Sequence, residues 1–196
     1  MTRHSRDDVV SAAGRLFAAR GYHGTSMRDL GRELGVLGSS LYAHIDGKQQ
    51  LLVEVIDRGA GLFQESADRA LASSDEPVDQ LRALIKGHVG VVLDHRDEVG
   101  TFLNEAAALD REARVGVIAA RDRYETAFRS VLEAGVTAGS LRDDLDPKTT
   151  SIFLLSILNA IGRWYREDGP VDRNELANRI FAFTLDGIGS AMIRQP

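Results

Sequence analysis

Cysteine is absent from the 196-residue sequence. Its absence excludes disulfide bonds, zinc–thiolate sites and cysteine nucleophiles, and it fits a reducing compartment. A long apolar run is also missing, since the most apolar stretch, 152–161, is interrupted by Ser156 and Asn159. That stretch is too short to cross a bilayer, and the polar N-terminus, 1–6, lacks an apolar signal region. We therefore expect a cytoplasmic protein without a membrane partner.

Basic side chains are outnumbered by acidic ones, which gives a net charge of −5. An acidic chain is not an obvious partner of nucleic acid. The distribution of charge matters more than its total. Residues 1–58 carry 8 basic and 7 acidic side chains, whereas the remainder carries 16 basic and 22 acidic ones. The front of the chain is therefore mildly basic beside an acidic body.

Proline is scarce and occurs only where predicted segments end, which leaves long stretches free of the strongest helix breaker. Apolar residues recur at helical spacing almost throughout, and no run alternates with a period of two. These patterns predict an all-α fold of about nine helices. The predicted helices are 6–20, 25–34, 38–44, 48–72, 78–94, 97–109, 112–135, 147–166 and 173–193.

Two of the short predicted helices, separated by Gly35-Val36, form a helix-turn-helix. Gly35 supplies the positive φ that the turn needs. Thr25 or Ser26 caps the first helix. The second helix turns Leu41 inward and carries small polar residues outward, which allows close approach to base edges in a major groove about 12 Å wide. The pattern indicates a DNA-reading element.

Residues 6–52 resemble the N-terminal domain of the TetR family of bacterial transcriptional regulators. The residues that carry the resemblance at the family's spacing are Ala12-Ala13, Leu16-Phe17, Gly21-Tyr22, Thr25-Ser26, Leu30, Gly35-Val36, Leu41-Tyr42, His44, Lys48 and Leu51-Leu52. The sequence departs from the family at three positions: Leu37 replaces a serine or threonine, Ile45 a common phenylalanine, and Gly47 a serine or aspartate. Leu37 removes a capping hydroxyl and one expected phosphate contact.

The resemblance implies a DNA-binding domain over 1–50 and a ligand-binding and dimerisation domain over 51–196. By the same resemblance, Tyr42 hydrogen-bonds a phosphate and Lys48 makes a charge-assisted phosphate contact. The predicted DNA-binding residues are Thr25, Ser26, Met27, Arg28, Ser39, Ser40, Tyr42, His44 and Lys48.

Larger side chains of the second domain are candidates for a ligand cavity between helices. They are Phe63, His88, Phe102, Asn104, Tyr124, Phe128, Asn159, Arg163 and Trp164. The run Trp164-Tyr165-Arg166 with Gly169-Pro170 resembles TetR-type regulators of lipid and steroid catabolism, several of which sense acyl-CoA thioesters. This resemblance implies a long apolar ligand with an anionic head, with Arg163 and Arg166 as partners of its phosphates.

Wide apolar faces mark the last two predicted helices, which predicts a homodimer that covers them with a four-helix bundle. No metal site or cofactor is expected, because His88 and His95 are about 10 Å apart along their helix. No catalytic set is present either, so we expect no enzyme. The sequence thus favours a TetR-type repressor released from a palindromic operator by a small molecule. The alternative is a helical small-molecule-binding or scaffold protein without DNA activity.

Overall fold

The computed structural model describes residues 5–42 and 45–188 of the chain. This part contains nine α-helices and no strand. The helices are α1 (Arg6–Arg20), α2 (Met27–Glu33), α3 (Gly38–Leu41), α4 (Lys48–Leu71), α5 (Pro77–Asp94), α6 (Arg96–Asn104), α7 (Arg111–Thr137), α8 (Pro147–Trp164) and α9 (Arg173–Ile188). None of these helices combines the length and apolar character that a membrane span requires.

The helices fall into two compact units. The first unit comprises Met1–Leu62 and His95–Ala120, and the second comprises Phe63–Asp94 and Arg121–Pro196. Helices α4 and α7 each begin in the first unit and end in the second. In this division α6 and the start of α7 belong to the same compact unit as the helix-turn-helix, and the functional boundary at residue 50 stays a prediction.

Helix α1 shows how local sequence fixes the ends of the elements in the first unit. Ser5 caps its N-terminus in a reciprocal capping box with Asp8. Gly21 ends it at φ 72°, with its N–H donated to the Phe17 carbonyl over 2.9 Å. The buried face of α1 packs against α6. A Cβ on Gly59 of α4 would lie 2.9 Å from the Glu98 carbonyl, so α4 and α6 also approach closely.

Helices α3 and α6 end earlier in the described residues than the sequence predicted. Helix α3 ends at Leu41, with Tyr42 as the C-cap donating its N–H to the Ser40 carbonyl, and residues 43–44 of the predicted helix lie outside the described residues. Helix α6 ends at Asn104, and a 3₁₀ turn, Ala106–Ala108, follows the non-helical Glu105. The predicted extension of α9 from 189 to 193 lies outside the described residues.

The core of the second unit is built on α5, which packs against α8 and α9. The buried side chains of α5 recur every three or four residues and are Leu81, Leu84, Ile85, His88, Val89, Val91, Val92 and Leu93. Helix α8 begins as predicted, with the Asp146 carboxylate accepting the Thr149 N–H over 3.2 Å and Pro147 in the first turn.

Candidate DNA-reading face and effector site

The backbones of helices α2 and α3 approach each other closely, with no side chain between them at the contact points. A Cβ on Gly31 would lie 2.7 Å from the Gly38 nitrogen and 2.8 Å from the Val36 carbonyl. A Cβ on Gly38 would lie 2.9 Å from the Met27 carbonyl. The connecting Gly35 has φ 67°, as the turn requires. The crossing of the two helices therefore depends on glycine at both contact points.

The outward face of α3 carries polar side chains, and its inward face is apolar. Leu41 is buried and anchors the helix, while Ser39 and Ser40 are exposed. Tyr42 is 57% exposed just beyond the helix. His44, also predicted to contact DNA, lies outside the described residues. The exposed hydroxyls are free to approach a base edge or a phosphate.

Residues at the start of α2 divide between structural and exposed roles. The Thr25 hydroxyl is buried and donates to the carbonyls of Leu16 (3.2 Å) and Gly21 (3.0 Å). Ser26 is the N-cap and forms a capping box with Asp29, which decides between the two predicted caps. Of the next two predicted contacts, Met27 is half-buried and Arg28 is exposed. The DNA contacts themselves stay predictions.

Lys48, at the start of α4, is directed toward the protein. Its ammonium donates to the carbonyls of Tyr22 and Thr25, each over 2.7 Å, and lies 3.9 Å from the centre of the Tyr22 ring. Burial lowers the pKa of this lysine. An ammonium has three N–H donors, so one remains for a DNA phosphate. Lys48 thus ties α4 to the α1–α2 connection.

Tyr22 is the centre of this connection, a role that the sequence did not reveal. Its backbone N–H donates to the Glu105 carboxylate over 2.9 Å, and its hydroxyl donates to the Gln49 side chain over 2.8 Å. Its ring also packs against Phe17, with centroids 5.6 Å apart. Tyr22 therefore links the helix-turn-helix to both α4 and the end of α6.

Several cations of the first unit are engaged in ion pairs within the protein. Arg6 pairs with Glu54 over 2.6 Å, and Arg58 pairs with Asp7 over the same distance. These arginines connect α1 to α4. Arg28 forms no ion pair with the residues that the structure describes, and it is exposed at the start of α2. The basic excess at the front of the chain therefore serves the fold as well as any partner.

Four of the predicted ligand residues meet in the second unit. His88 lies between Phe63 and Tyr124, with ring centroids 4.8 and 5.8 Å away, and Phe128 packs edge-on at 6.5 Å. His88 Nδ1 is 3.1 Å from the Tyr124 hydroxyl, and Nε2 is buried with no hydrogen-bond partner among the described residues. Burial lowers the pKa of His88 to about 3, so the imidazole is neutral at physiological pH.

The remaining ligand candidates do not join this cluster. Phe102 is buried in the first unit, and Asn104 is exposed and donates to the Gly100 carbonyl over 2.8 Å. Asn159 is half-buried on α8, and Arg163 and Trp164 are exposed near the end of that helix.

The run that follows α8 forms a tight turn, with Arg166 paired to Asp168 over 3.2 Å. The predicted phosphate-binding role of Arg166 therefore competes with this carboxylate.

Helices α8 and α9 leave an apolar face uncovered. Phe183 is 68% exposed, Phe153 is 64% exposed and Ile157 is 40% exposed. An open groove of about 580 Å³ runs between these side chains and is floored by Leu154 and Ile188. Large apolar side chains grouped in this way mark an interaction surface.

Two short helices crossing at paired glycines, with small polar groups exposed on the second, define a helix-turn-helix regulator. Residues 9–55 match the family of bacterial regulatory proteins called the tetR family, and residues 74–188 match the tetracyclin repressor-like C-terminal domain. The second match alone spans more than half of the chain. The chain belongs to the TetR family of transcriptional regulators, as the sequence predicted.

Similar proteins confirm the fold over nearly the whole chain. The HTH-type transcriptional repressor KstR2 of Mycolicibacterium smegmatis is 28% identical over 188 residues, covering 93% of this chain and 90% of that protein. The crystal structure of PfmR from Thermus thermophilus is 30% identical with a TM-score of 0.84, covering 93% of this chain and 98% of that one. AibR, crystallised with isovaleryl coenzyme A and operator DNA, is 27% identical with a TM-score of 0.84, covering 90% and 96%.

Proposed function

We propose that this regulator is a homodimeric repressor that binds a palindromic operator and releases it when an acyl thioester enters the second unit. The α2–α3 pair supports the DNA-binding half of the proposal, because its crossing fixes the exposed face of α3 in one orientation. KstR2 carries the name of a repressor, and AibR was crystallised with both an acyl-coenzyme A and operator DNA. These relatives favour the same two classes of partner for this chain.

Operator binding is tested with a 40-base-pair duplex pool of random sequence, from which the protein enriches its own site. We expect a palindromic consensus with half-sites about 34–36 Å apart. Tyr42→Phe removes one exposed hydroxyl, so it should weaken binding to every sequence to a similar degree. Thr149→Val on α8 removes a hydroxyl in the second unit and serves as the control. Enrichment without any consensus contradicts the DNA-binding proposal.

The unpartnered Nε2 of His88 is the observation that carries the effector proposal. The 3.1 Å contact between His88 Nδ1 and the Tyr124 hydroxyl permits either tautomer, and the proposal takes the one in which the hydroxyl donates to Nδ1. A neutral imidazole has one donor and one acceptor nitrogen, so Nε2 then carries the proton. A buried N–H without an acceptor is costly, and an effector carbonyl would relieve that cost. Phe63 and Phe128 supply the apolar surroundings that an acyl chain prefers.

Calorimetric titration with isovaleryl-CoA and longer acyl-CoAs tests this half of the proposal. His88→Phe keeps a ring in the cluster but removes the donor, so it should weaken binding about three- to tenfold, the range for one net hydrogen bond. Asn104→Ala, on an exposed side chain of α6, is the matched control and should bind as the wild type does. Equal affinities for the wild type and His88→Phe would place the effector elsewhere.

Dimerisation through α8 and α9 is supported by the exposed Phe153, Ile157 and Phe183. Burial of these rings against a second copy would remove from water an apolar face that a single chain leaves exposed. Phe183→Asp should convert the dimer to a monomer in sedimentation analysis at micromolar concentration. Asn174→Asp adds the same charge to the opposite side of α9 and should leave the dimer intact. A wild-type monomer refutes the dimer outright.

Helix α4 provides the route from effector to operator. Lys48 and Phe63 lie on this one helix, about 22 Å apart along its axis at about 1.5 Å per residue. An effector that packs against Phe63 and favours one position of α4 would therefore act on the Lys48–Tyr22 connection. The coupling requires unequal effector affinity for the two positions. Operator affinity measured with and without acyl-CoA gives its size, and an unchanged affinity excludes it.

A further inference from the structure

Leu37 is the most exposed of the large apolar side chains that the structure describes, at 74% of its surface. It immediately precedes α3, and its side chain makes no capping hydrogen bond. It contributes little to the fold, since the core contact of this segment is made by Leu41, which is 3% exposed. A single exposed leucine is common on protein surfaces, but this one directly precedes the helix that is proposed to read DNA.

The position of Leu37 is fixed by its neighbours. Its carbonyl accepts the Ser40 N–H over 2.9 Å, and Val36 donates its N–H to the Gly31 carbonyl over 2.8 Å. Gly38, the next residue, lies so close to α2 that an added Cβ would be 2.9 Å from the Met27 carbonyl. The Leu37 side chain is therefore presented to solvent from anchored main chain at the start of α3.

We infer that Leu37 contacts the C5-methyl group of a thymine in the operator and so determines part of its sequence. The inference rests on the proposed operator binding, because it adds one apolar contact to those proposed for the exposed polar side chains of α3. The Leu37 side chain can neither donate nor accept a hydrogen bond, so it does not suit a phosphate or a polar base edge. The thymine methyl is the apolar group that a base pair presents in the major groove. The leucine thus supplies sequence preference where a hydroxyl would supply a phosphate contact.

Substitution of deoxyuridine for thymine tests the contact, because it removes only the methyl group. The probe is the duplex that the wild-type protein enriches from the random pool, with each thymine replaced in turn in both half-sites. At one symmetric thymine pair, we expect the wild type to lose about fourfold in affinity for each methyl removed. Leu37→Ala should bind the thymine duplex more weakly and should no longer distinguish it from the deoxyuridine duplex at that pair.

Ser39→Ala is the matched control, since it also shortens an exposed side chain near the start of α3 but should keep the full thymine preference. An equal thymine-to-deoxyuridine ratio for the wild type and Leu37→Ala at every position overturns the inference and leaves operator binding standing. If a consensus is enriched but removal of each thymine methyl leaves the affinity of the wild type unchanged, the Leu37 contact is likewise overturned and operator binding stands. Failure to enrich any consensus instead overturns operator binding, and the Leu37 contact with it.

Discussion

The buried histidine of the aromatic cluster makes the stability of this protein depend on pH. His88 has an ordinary pKa of 6.5 in the unfolded chain, and burial lowers it to about 3 in the folded protein. Between about pH 3 and pH 6.5, His88 binds a proton in the unfolded chain but not in the folded protein. The contribution of a neutral His88 to stability is therefore fully present above pH 6.5 and is lost as the pH falls toward 3.

The magnitude follows from the two pKa values. One pKa unit corresponds to about 1.4 kcal/mol, which is the greatest slope that a single proton can give per pH unit. Between pH 7 and pH 5, His88 should lower the free energy of unfolding by about 2 kcal/mol. This loss is a substantial fraction of the stability of a typical domain, which is about 5–15 kcal/mol.

His88→Phe removes the titrating group and retains a ring between Phe63 and Tyr124. Urea unfolding followed by circular dichroism at pH 7, 6 and 5, at one protein concentration, measures the free energy of unfolding of each variant. The wild type should lose about 2 kcal/mol more than His88→Phe over this range. Phe128→Leu disturbs the same cluster without a proton and should keep the wild-type slope. Identical slopes for the wild type and His88→Phe would refute a buried neutral histidine.

Three further substitutions test the first unit. Gly31→Ala forces a methyl to within 2.7 Å of the Gly38 nitrogen, so we expect operator binding to be lost while α5 to α9 keep their helical signal; unchanged binding would contradict the close crossing. Thr25→Val removes the buried hydroxyl that donates to the carbonyls of Leu16 and Gly21 and should cost about 1–3 kcal/mol of unfolding free energy, whereas a large loss of DNA affinity alone would assign the hydroxyl to DNA. Glu105→Ala removes the acceptor of the Tyr22 N–H and should weaken the effect of effector on operator affinity, and a full response would exclude that connection.

Local sequence signals predicted the helices and their caps well. The capping residues Asp146 and Ser26, the left-handed Gly35 and the inward Leu41 are where the spacing placed them. These features depend on residues a few positions apart, and such interactions are visible in a sequence.

Long-range contacts account for what the sequence did not predict. The Tyr22 N–H and the Glu105 carboxylate are 83 residues apart, so no local pattern links them. The end of α6 at Asn104 follows from the same region, where Glu105 leaves helical geometry. Lys48 matched the family at its position, but its hydrogen bonds to Tyr22 and Thr25 depend on the packing of α4.

In the α2–α3 pair, the residues that fix the orientation of α3 are different from the residues that α3 exposes. Gly31 and Gly38 fix its orientation through main-chain atoms, so the identities of Ser39, Ser40 and Tyr42 are not needed for the fold. Exposed substitutions of this kind typically change stability by about 0.5 kcal/mol or less. We therefore expect that randomising these three positions changes which DNA sequences the protein binds and leaves the fold intact.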